Sequence, residues 1–516
     1  MKSRIYIPES QKRLNRNPTI QIIMKQKEFI GTILFFSLLR VMLASVMGLM
    51  PQDAYYCYYG DHLALSYFDH PPMIGYLLHL GVSIFGKSVL ALHAADFLVT
   101  SGTLLFLYLF LQRILHGNDL KRAFILIVTA PFITLLCINS TPDVPLLFFW
   151  SLSLLLIHKA IVDGKWYFWL FGGITSGLAF DSKYTSVFLG FGLFVYLLCS
   201  KEHCKNLING HFILFVTAFV VACLPVAIWN YQNDFISLKY QSTERASTLS
   251  TGFEFEPRLF FGYFGTQLAL ALPVFFLLIF RSSFDTLKKF ILRKEIPEHQ
   301  LFSASFALPL FLCFTAIAFI YWVKINWLMP VYLTATVLAV PYFKTDKVIR
   351  WQTGFSILLH LVAFVELAWM PIPVNSDDTW WGWDKLAKEV RTVKAKHPGY
   401  FVFSDDSYKT SAALNFYLPE HVYGGNLIEK HGFQFALDDR DLQPLAGQNA
   451  IYVSSEMNKR KRRNEGNVQD MLQRYFTTVT SLDSIILKND KGIIQRKFEV
   501  LECKGYRPPT GNKLHP

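Results

Sequence analysis

The sequence predicts a polytopic α-helical membrane protein with a small C-terminal α/β domain outside the bilayer, and three observations predict it. The composition is 52% hydrophobic and 16% aromatic with a mean hydropathy of +0.30, more apolar than a soluble chain of 516 residues carries. Apolar stretches of about 20 residues, the length that crosses a hydrocarbon core, recur from residue 29 to residue 371. After Pro371 they stop, charged residues become frequent, and short alternating stretches take over.

Hydropathy and loop charge place about eleven transmembrane helices, near 29–50, 89–112, 123–138, 144–160, 166–180, 184–199, 211–230, 259–280, 302–322, 327–343 and 351–371. The first follows a basic tail, is too long for a signal-peptide core and has no small-residue cleavage site, so it reads as a retained helix. With that tail inside, the cytoplasmic side holds about 22 Lys and Arg against about six in the outer loops. An odd number of spans then puts the N-terminus in the cytoplasm and the C-terminus outside. The net charge of +12 belongs to this asymmetry and does not point to nucleic acid.

Three regions follow: a cytoplasmic basic tail (1–28), a transmembrane module (29–371) with a large first outer loop (51–88), and an extracytoplasmic α/β domain (372–516). In the last, Tyr400–Ser404, Ala450–Ser454 and Ile493–Leu501 alternate as strands, whereas Trp383–Lys396 and Ser407–Tyr417 have helical spacing, with Asp406 and Ser407 as N-cap candidates. The run from Lys459 to Arg463 reads as a solvated loop. The seven cysteines show neither a disulfide framework nor metal-ligand spacing.

Ionisable residues near a membrane are expensive and either pair or do work. Here they gather on the outer side: Asp53, Asp61, Asp69 and His70 in the first loop, then Asp143, Asp181 and Lys183, Lys239, Glu244 and Arg245, and Lys324 with Asn326. Asp53 directly follows the first span and precedes aromatic residues including Tyr55, where a lipid-borne substrate meets an aqueous acceptor. A carboxylate there takes a proton, holds a metal, or simply caps a short helix over Ala54–Leu65. Pro71 and Pro72 stiffen the turn that carries Asp69 and His70.

Asp143 stands at the start of the fourth span, where a helix N-terminus favours an anion. Lys183 either pairs with Asp181 or, with Arg245, holds a phosphate oxygen. Lys324 and Asn326 offer two more donors beside an interfacial Trp327. Arg40, inside the first span, reads as neutralised within the bundle.

In order, Asp53, Tyr67-Phe68-Asp69-His70-Pro71-Pro72, Thr141-Pro142-Asp143-Val144-Pro145, Ser182-Lys183-Tyr184-Thr185, Lys324-Ile325-Asn326-Trp327 with Pro330, then Gly382-Trp383 with Leu386-Ala387, Asp405-Asp406 with Tyr408, and Phe416-Tyr417-Leu418-Pro419 are jointly specific. From about Asp53 to Tyr417 the chain resembles bacterial glycosyltransferase family 39-like proteins of the GT-C class, related to the protein O-mannosyltransferases and the lipid A aminoarabinose transferase.

The resemblance implies inverting transfer of a hexosyl or pentosyl group from a polyprenyl-phosphate-linked sugar to a lipid, glycan or protein acceptor, at the outer face of a bacterial inner membrane. It implies Asp53, matched to the first-loop catalytic aspartate, as the base that activates the acceptor hydroxyl, Asp69 as a second catalytic carboxylate, and both as candidate ligands of a divalent metal. It also implies Lys183, His70 and Arg245 as donor-phosphate contacts, and Asp143, Tyr55, Glu244, Lys324 and Asn326 as substrate contacts. His70 stands where the aminoarabinose branch has lysine, and it is only partly charged near neutrality. The rival reading is a flippase of a lipid-linked sugar, whose mark is ionisable residues inside several spans; the sequence shows only Arg40 in that place.

Overall fold

A computed structural model describes residues 25–244, 256–343, 345–372, 376–457 and 467–509. Arg245 and the run Lys459 to Arg463 lie outside the described residues, as does the side chain of Glu244.

Every expected span is helical. Seven helices are long and apolar enough to cross a membrane: α1 (Gln26–Val46), α4 (Val89–Ile114), α7 (Asp143–Asp163), α10 (Gly210–Gln232), Glu298–Ile317, Ile325–Tyr342 and Asp346–Trp369. Two bent pairs raise the number to nine. In the first, α5 (Gly117–Val128) meets α6 (Pro131–Ile138) at 48°, and in the second, Pro257–Ala271 meets Pro273–Ile291 at 115°. Both breaks follow from proline, which lacks an N–H and tolerates the first turn of a helix but not its interior; Pro131 and Pro273 each open the second member. The two remaining expected spans are α8 (Trp166–Phe180), of 15 residues, and Tyr184–Cys199, which includes α9 (Val187–Cys199), and both are shorter than a full crossing.

Large apolar side chains such as Leu34, Leu38, Ile213 and Val221 point away from the protein interior. Only 33% of the apolar window of α1 and 17% of that of α10 is buried. In a water-soluble protein such a surface would aggregate, and here it is the lipid face of a multi-pass membrane protein.

The long loop after the first span folds into α2 (Pro51–Asp61) and α3 (Met73–Phe85). They touch closely because Gly60 and Gly75 meet at the crossing, where a Cβ on Gly75 would stand 2.9 Å from Cβ of Tyr59.

The C-terminal part is the expected small α/β unit. Its strands are β1 (Phe401–Phe403), β2 (Val422–Tyr423), β3 (Ala450–Ser455), β4 (Phe476–Ser481), β5 (Ile485–Lys488) and β6 (Ile494–Tyr506), in the order β2-β1-β3-β6-β4 with β5 also on β6. The first three run parallel, and β4, β5 and β3 each pair antiparallel with β6. Helix Trp383–Lys396 forms with the predicted bounds. Helix Lys409–Tyr417 starts later than expected, with Asp406 accepting the Thr410 N–H at 3.0 Å.

One apolar cluster joins Leu386, Val390, Ile451 and Phe498 of this unit to Tyr55, Tyr59, Ile74 and Leu78 of α2 and α3. The sheet unit is therefore bolted to that long loop, and this contact sets the site.

Candidate active site

Tyr55 and Tyr59 are four residues apart on α2 and so share a face. Both hydroxyls donate to Asp69 Oδ1, Tyr55 at 3.1 Å. Asp69 reaches them because Pro71 and Pro72 end the turn and α3 starts at Met73. Its carbonyl accepts from Gln241 Nε2 at 2.5 Å, and its Oδ2 faces His70 Nε2 at 3.8 Å, beyond hydrogen-bond reach. Burial pushes the Asp69 carboxyl above the usual carboxylate range, against the pull of the Tyr59 and Tyr55 hydroxyls and of the Lys324 ammonium. The same burial holds the two phenols well above their ordinary value, so both stay donors. The sheet unit closes this corner: Gln434 N–H donates to the Tyr55 hydroxyl at 3.2 Å, and Tyr408 stacks on Tyr55 at 4.4 Å.

Asp143 opens α7 and accepts Lys183 Nζ on both oxygens, at 2.8 and 3.0 Å, together with Asn326 Nδ2. The expected local pair of Lys183 with Asp181 does not form. Ser182 and Lys183 N–H both turn back to the Ala179 carbonyl, closing α8, and Lys183 crosses to α7 instead. Asp181 is left buried with Oδ1 free of hydrogen bonds among the described residues, and burial raises its carboxyl to about 7. The Tyr56 hydroxyl is pushed well above its ordinary value by burial first, then by the charges of Asp69, Tyr408 and Asp143.

Asp53 sits elsewhere. It lies in the first turn of α2, not before a helix starting at Ala54, and is 0% exposed. Its Oδ2 accepts the Met50 N–H at 2.8 Å and faces His93 Nε2 at 3.4 Å, while Oδ1 accepts the Ser140 N–H at 2.7 Å. The Ser140 hydroxyl donates to Asp96 Oδ2 at 2.6 Å.

His93, Asp96 and Ser140 went unread in the sequence. Two ionisable residues inside the span 89–112 were the signal, and with His360 they add to Arg40 as polar groups within spans. Arg40 is not neutralised by an acid: it donates to the Val128 carbonyl and to Thr134 Oγ1 at 3.2 Å, and makes no ion pair among the described residues.

Asp53 meets N–H groups on both oxygens, Asp69 Oδ1 receives two phenols, and no group of three or more His, Cys, Asp or Glu among the described residues is placed to hold an ion.

Among solved structures, ArnT from Cupriavidus metallidurans in the apo state is similar with a TM-score of 0.62 at 13% identity, covering 92% of this chain and 97% of that one. The same protein bound to undecaprenyl phosphate gives 0.61, also at 13% identity, covering 92% and 98%. The fold is therefore that of ArnT, a multi-pass membrane protein. Residues 69–229 match the family described as dolichyl-phosphate-mannose-protein mannosyltransferase. The lipid A galacturonosyltransferase RgtD of Rhizobium johnstonii is 23% identical over 335 residues, 62% of this chain; the match spans 66% of that relative, just under two thirds of its length. The chain is thus similar in fold to ArnT and, over residues 69–229, to the protein mannosyltransferase family model.

Proposed function

We propose that this chain is a membrane glycosyltransferase that moves a sugar from a polyprenyl-phosphate donor to an acceptor hydroxyl on the outer side of a bacterial cytoplasmic membrane. The observation that carries the reading is the pair of buried polar groups, Asp69 with its two phenol donors and Asp143 with Lys183 and Asn326, both of which raise the Tyr56 hydroxyl. Its support is the family match, the ArnT-like fold, which in one solved case holds undecaprenyl phosphate, and the relative named for lipid A.

The acceptor oxygen attacks the anomeric carbon, its proton passes to Asp69 Oδ2, and the bond from that carbon to the phosphate oxygen breaks with its electron pair on phosphate. Asp69 suits the base role because its raised carboxyl lies nearer working pH and Oδ2 stays outside the phenol bonds. Lys183 and Lys324 meet the charge that grows on the leaving oxygen, assisted by His70 when protonated. Attack from the face opposite the phosphate inverts the anomeric centre. An acceptor of lipid A type takes precedence over other glycans and protein, on the strength of the relative's name.

Incubating the purified protein with an undecaprenyl-phosphate-linked sugar and lipid A tests this. Equal amounts of glycosylated lipid and released undecaprenyl phosphate, by mass spectrometry, are expected; translocation of intact donor with no transfer would contradict the proposal. For orientation, a reporter fused after Asn375 should be active only outside the cytoplasm and one after Lys294 only inside, and the reverse would place the site on the wrong side.

A further inference from the structure

The last span, Asp346–Trp369, has only 22% of its apolar window buried. It runs beside α1 in the same direction: Arg350 faces Glu28 at 4.0 Å near the start of both helices, and the rings of His360 and Phe36 meet at 5.4 Å further along. This shared start lies at the opposite end of α1 from Asp53, which follows that helix's far end.

A groove of about 550 Å³ opens there, lined among the described residues by Lys347, Arg350, Trp351, Gly354, Phe355 and Leu358. Steps of three and four along the helix put them on one stripe, and all six are exposed. Gly354 keeps the middle of the stripe open, since a Cβ there would meet nothing within 4 Å. The stripe changes character along its length: two cations stand at its start, an indole comes next, and apolar surface follows. From Lys347 to Leu358 the helix rises about 16 Å. That is half of a hydrocarbon core of ~30 Å, the depth of one leaflet. Cations above a Trp, with one leaflet's depth of apolar groove below it, complement an anionic headgroup that carries an acyl chain.

The neighbouring charges leave this rim positive. Asp346, the next acid in the chain, is buried and accepts Arg122 Nε at 2.6 Å. Glu28 and Arg350 are both about half exposed and 4.0 Å apart, a surface pair that holds neither side chain firmly. Lys25 and Lys27 at the start of α1 add two further cations, so that cations outnumber acids. A second copy of this chain fits the groove poorly, because a two-fold axis through it would bring Lys347 and Arg350 of both copies together.

We propose that this groove binds one anionic phospholipid, with its phosphate on Lys347 and Arg350 and one acyl chain along Trp351, Gly354, Phe355 and Leu358. The lipid bound here is a resident of the bilayer and not the sugar donor. The site takes no part in the transfer chemistry above, so it stands or falls separately from that reading.

The test is native mass spectrometry of the full-length protein, titrated in detergent with phosphatidylglycerol, phosphatidylcholine or inorganic phosphate. One phosphatidylglycerol should be retained at concentrations where neither of the others is. Lys347→Gln with Arg350→Gln should weaken that first binding event by about 25-fold, about fivefold for each cation. Gly354→Trp leaves the charge alone and fills the groove, and should abolish retention of the single lipid. Lys288→Gln with Lys289→Gln removes equal charge from the end of helix Pro273–Ile291 and should leave binding unchanged. Equal retention of the two phospholipids overturns the proposal, as does equal weakening by the two lysine and arginine variants. Retention of inorganic phosphate at the same concentration makes this an ion site, and a dimer dispersed by Gly354→Trp makes it a contact between copies; either result also overturns it.

Discussion

Two carboxylates of the same loop have opposite surroundings. Asp53 is closed: its side chain is 0% exposed and N–H groups occupy both oxygens. Asp69 is open: its side chain is 11% exposed, two phenols hold one oxygen, and the other looks toward His70 across 3.8 Å. Reactivity follows from the second arrangement, because a base needs a lone pair that no other donor occupies. Rigidity follows from the first: one Asp53 bond caps the start of its own helix, and the others tie α2 to Ser140 and to His93 on α4. The difference teaches that two carboxylates of one loop are not interchangeable, and the proposed base is the one with an oxygen outside the phenol bonds.

The phosphate half of the site breaks the comparison most strongly if it fails. Lys183→Ala should reduce kcat by about 10² to 10³-fold, as removal of a group that meets transition-state charge does. It should also leave the buried Asp143 without its cation, at a cost of about 3 kcal/mol, measured as a lowered midpoint of thermal unfolding. Lys183→Arg should recover part of both, since a guanidinium also binds carboxylate and phosphate. Normal activity in the alanine variant would reduce Lys183 to a structural partner of Asp143.

The open carboxylate has a pH signature. Asp69 acts as a base only after losing its proton, so kcat/KM should climb with pH along a limb lying above the ordinary carboxylate range. The phenols favour the anion and so hold that limb down; Tyr59→Phe removes one of them and should move the limb to higher pH, lowering activity about tenfold on its acidic side. A limb that stays in place in Tyr59→Phe would detach Asp69 from the rate.

The smallest effect concerns the sheet unit. Tyr408→Ala removes the ring stacked on Tyr55, a contact worth about 1 kcal/mol, and should cost about fivefold in kcat/KM with little change in folding. No change would mean that the sheet unit bears on the site only through the backbone N–H of Gln434.

Much of this was legible in the sequence where the signal is local. Apolar length located the seven long spans, but it also ran the expected span 259–280 through a 115° break and counted two helices too short to cross; alternation located β1, β3 and β6, and periodicity gave helix Trp383–Lys396 its bounds. The breaks at Pro131 and Pro273 were written in the sequence too, but hydropathy averages over a proline. The partners in the site were not legible. Lys183 has an acid two residues away and chooses one 40 residues away, because helix packing, not chain proximity, brings side chains together. Asn326 joins the same acid across 183 positions, and Asp53 finds the Ser140 N–H across 87. His93 and Asp96 escaped for a different reason: they stand near the start of an otherwise apolar helix, where two polar residues hardly alter the mean hydropathy.

The most direct measurement is single-turnover transfer at saturating donor by Asp69→Asn and Asp53→Asn side by side, with undecaprenyl phosphate binding measured for both. Both variants should bind, Asp69→Asn should lose about 10³-fold or more in transfer, and Asp53→Asn should retain a measurable rate lowered about 100-fold through misplacement. Transfer at near-parent rates by Asp69→Asn, with transfer abolished in a folded, donor-binding Asp53→Asn protein, would contradict it and return the base to Asp53.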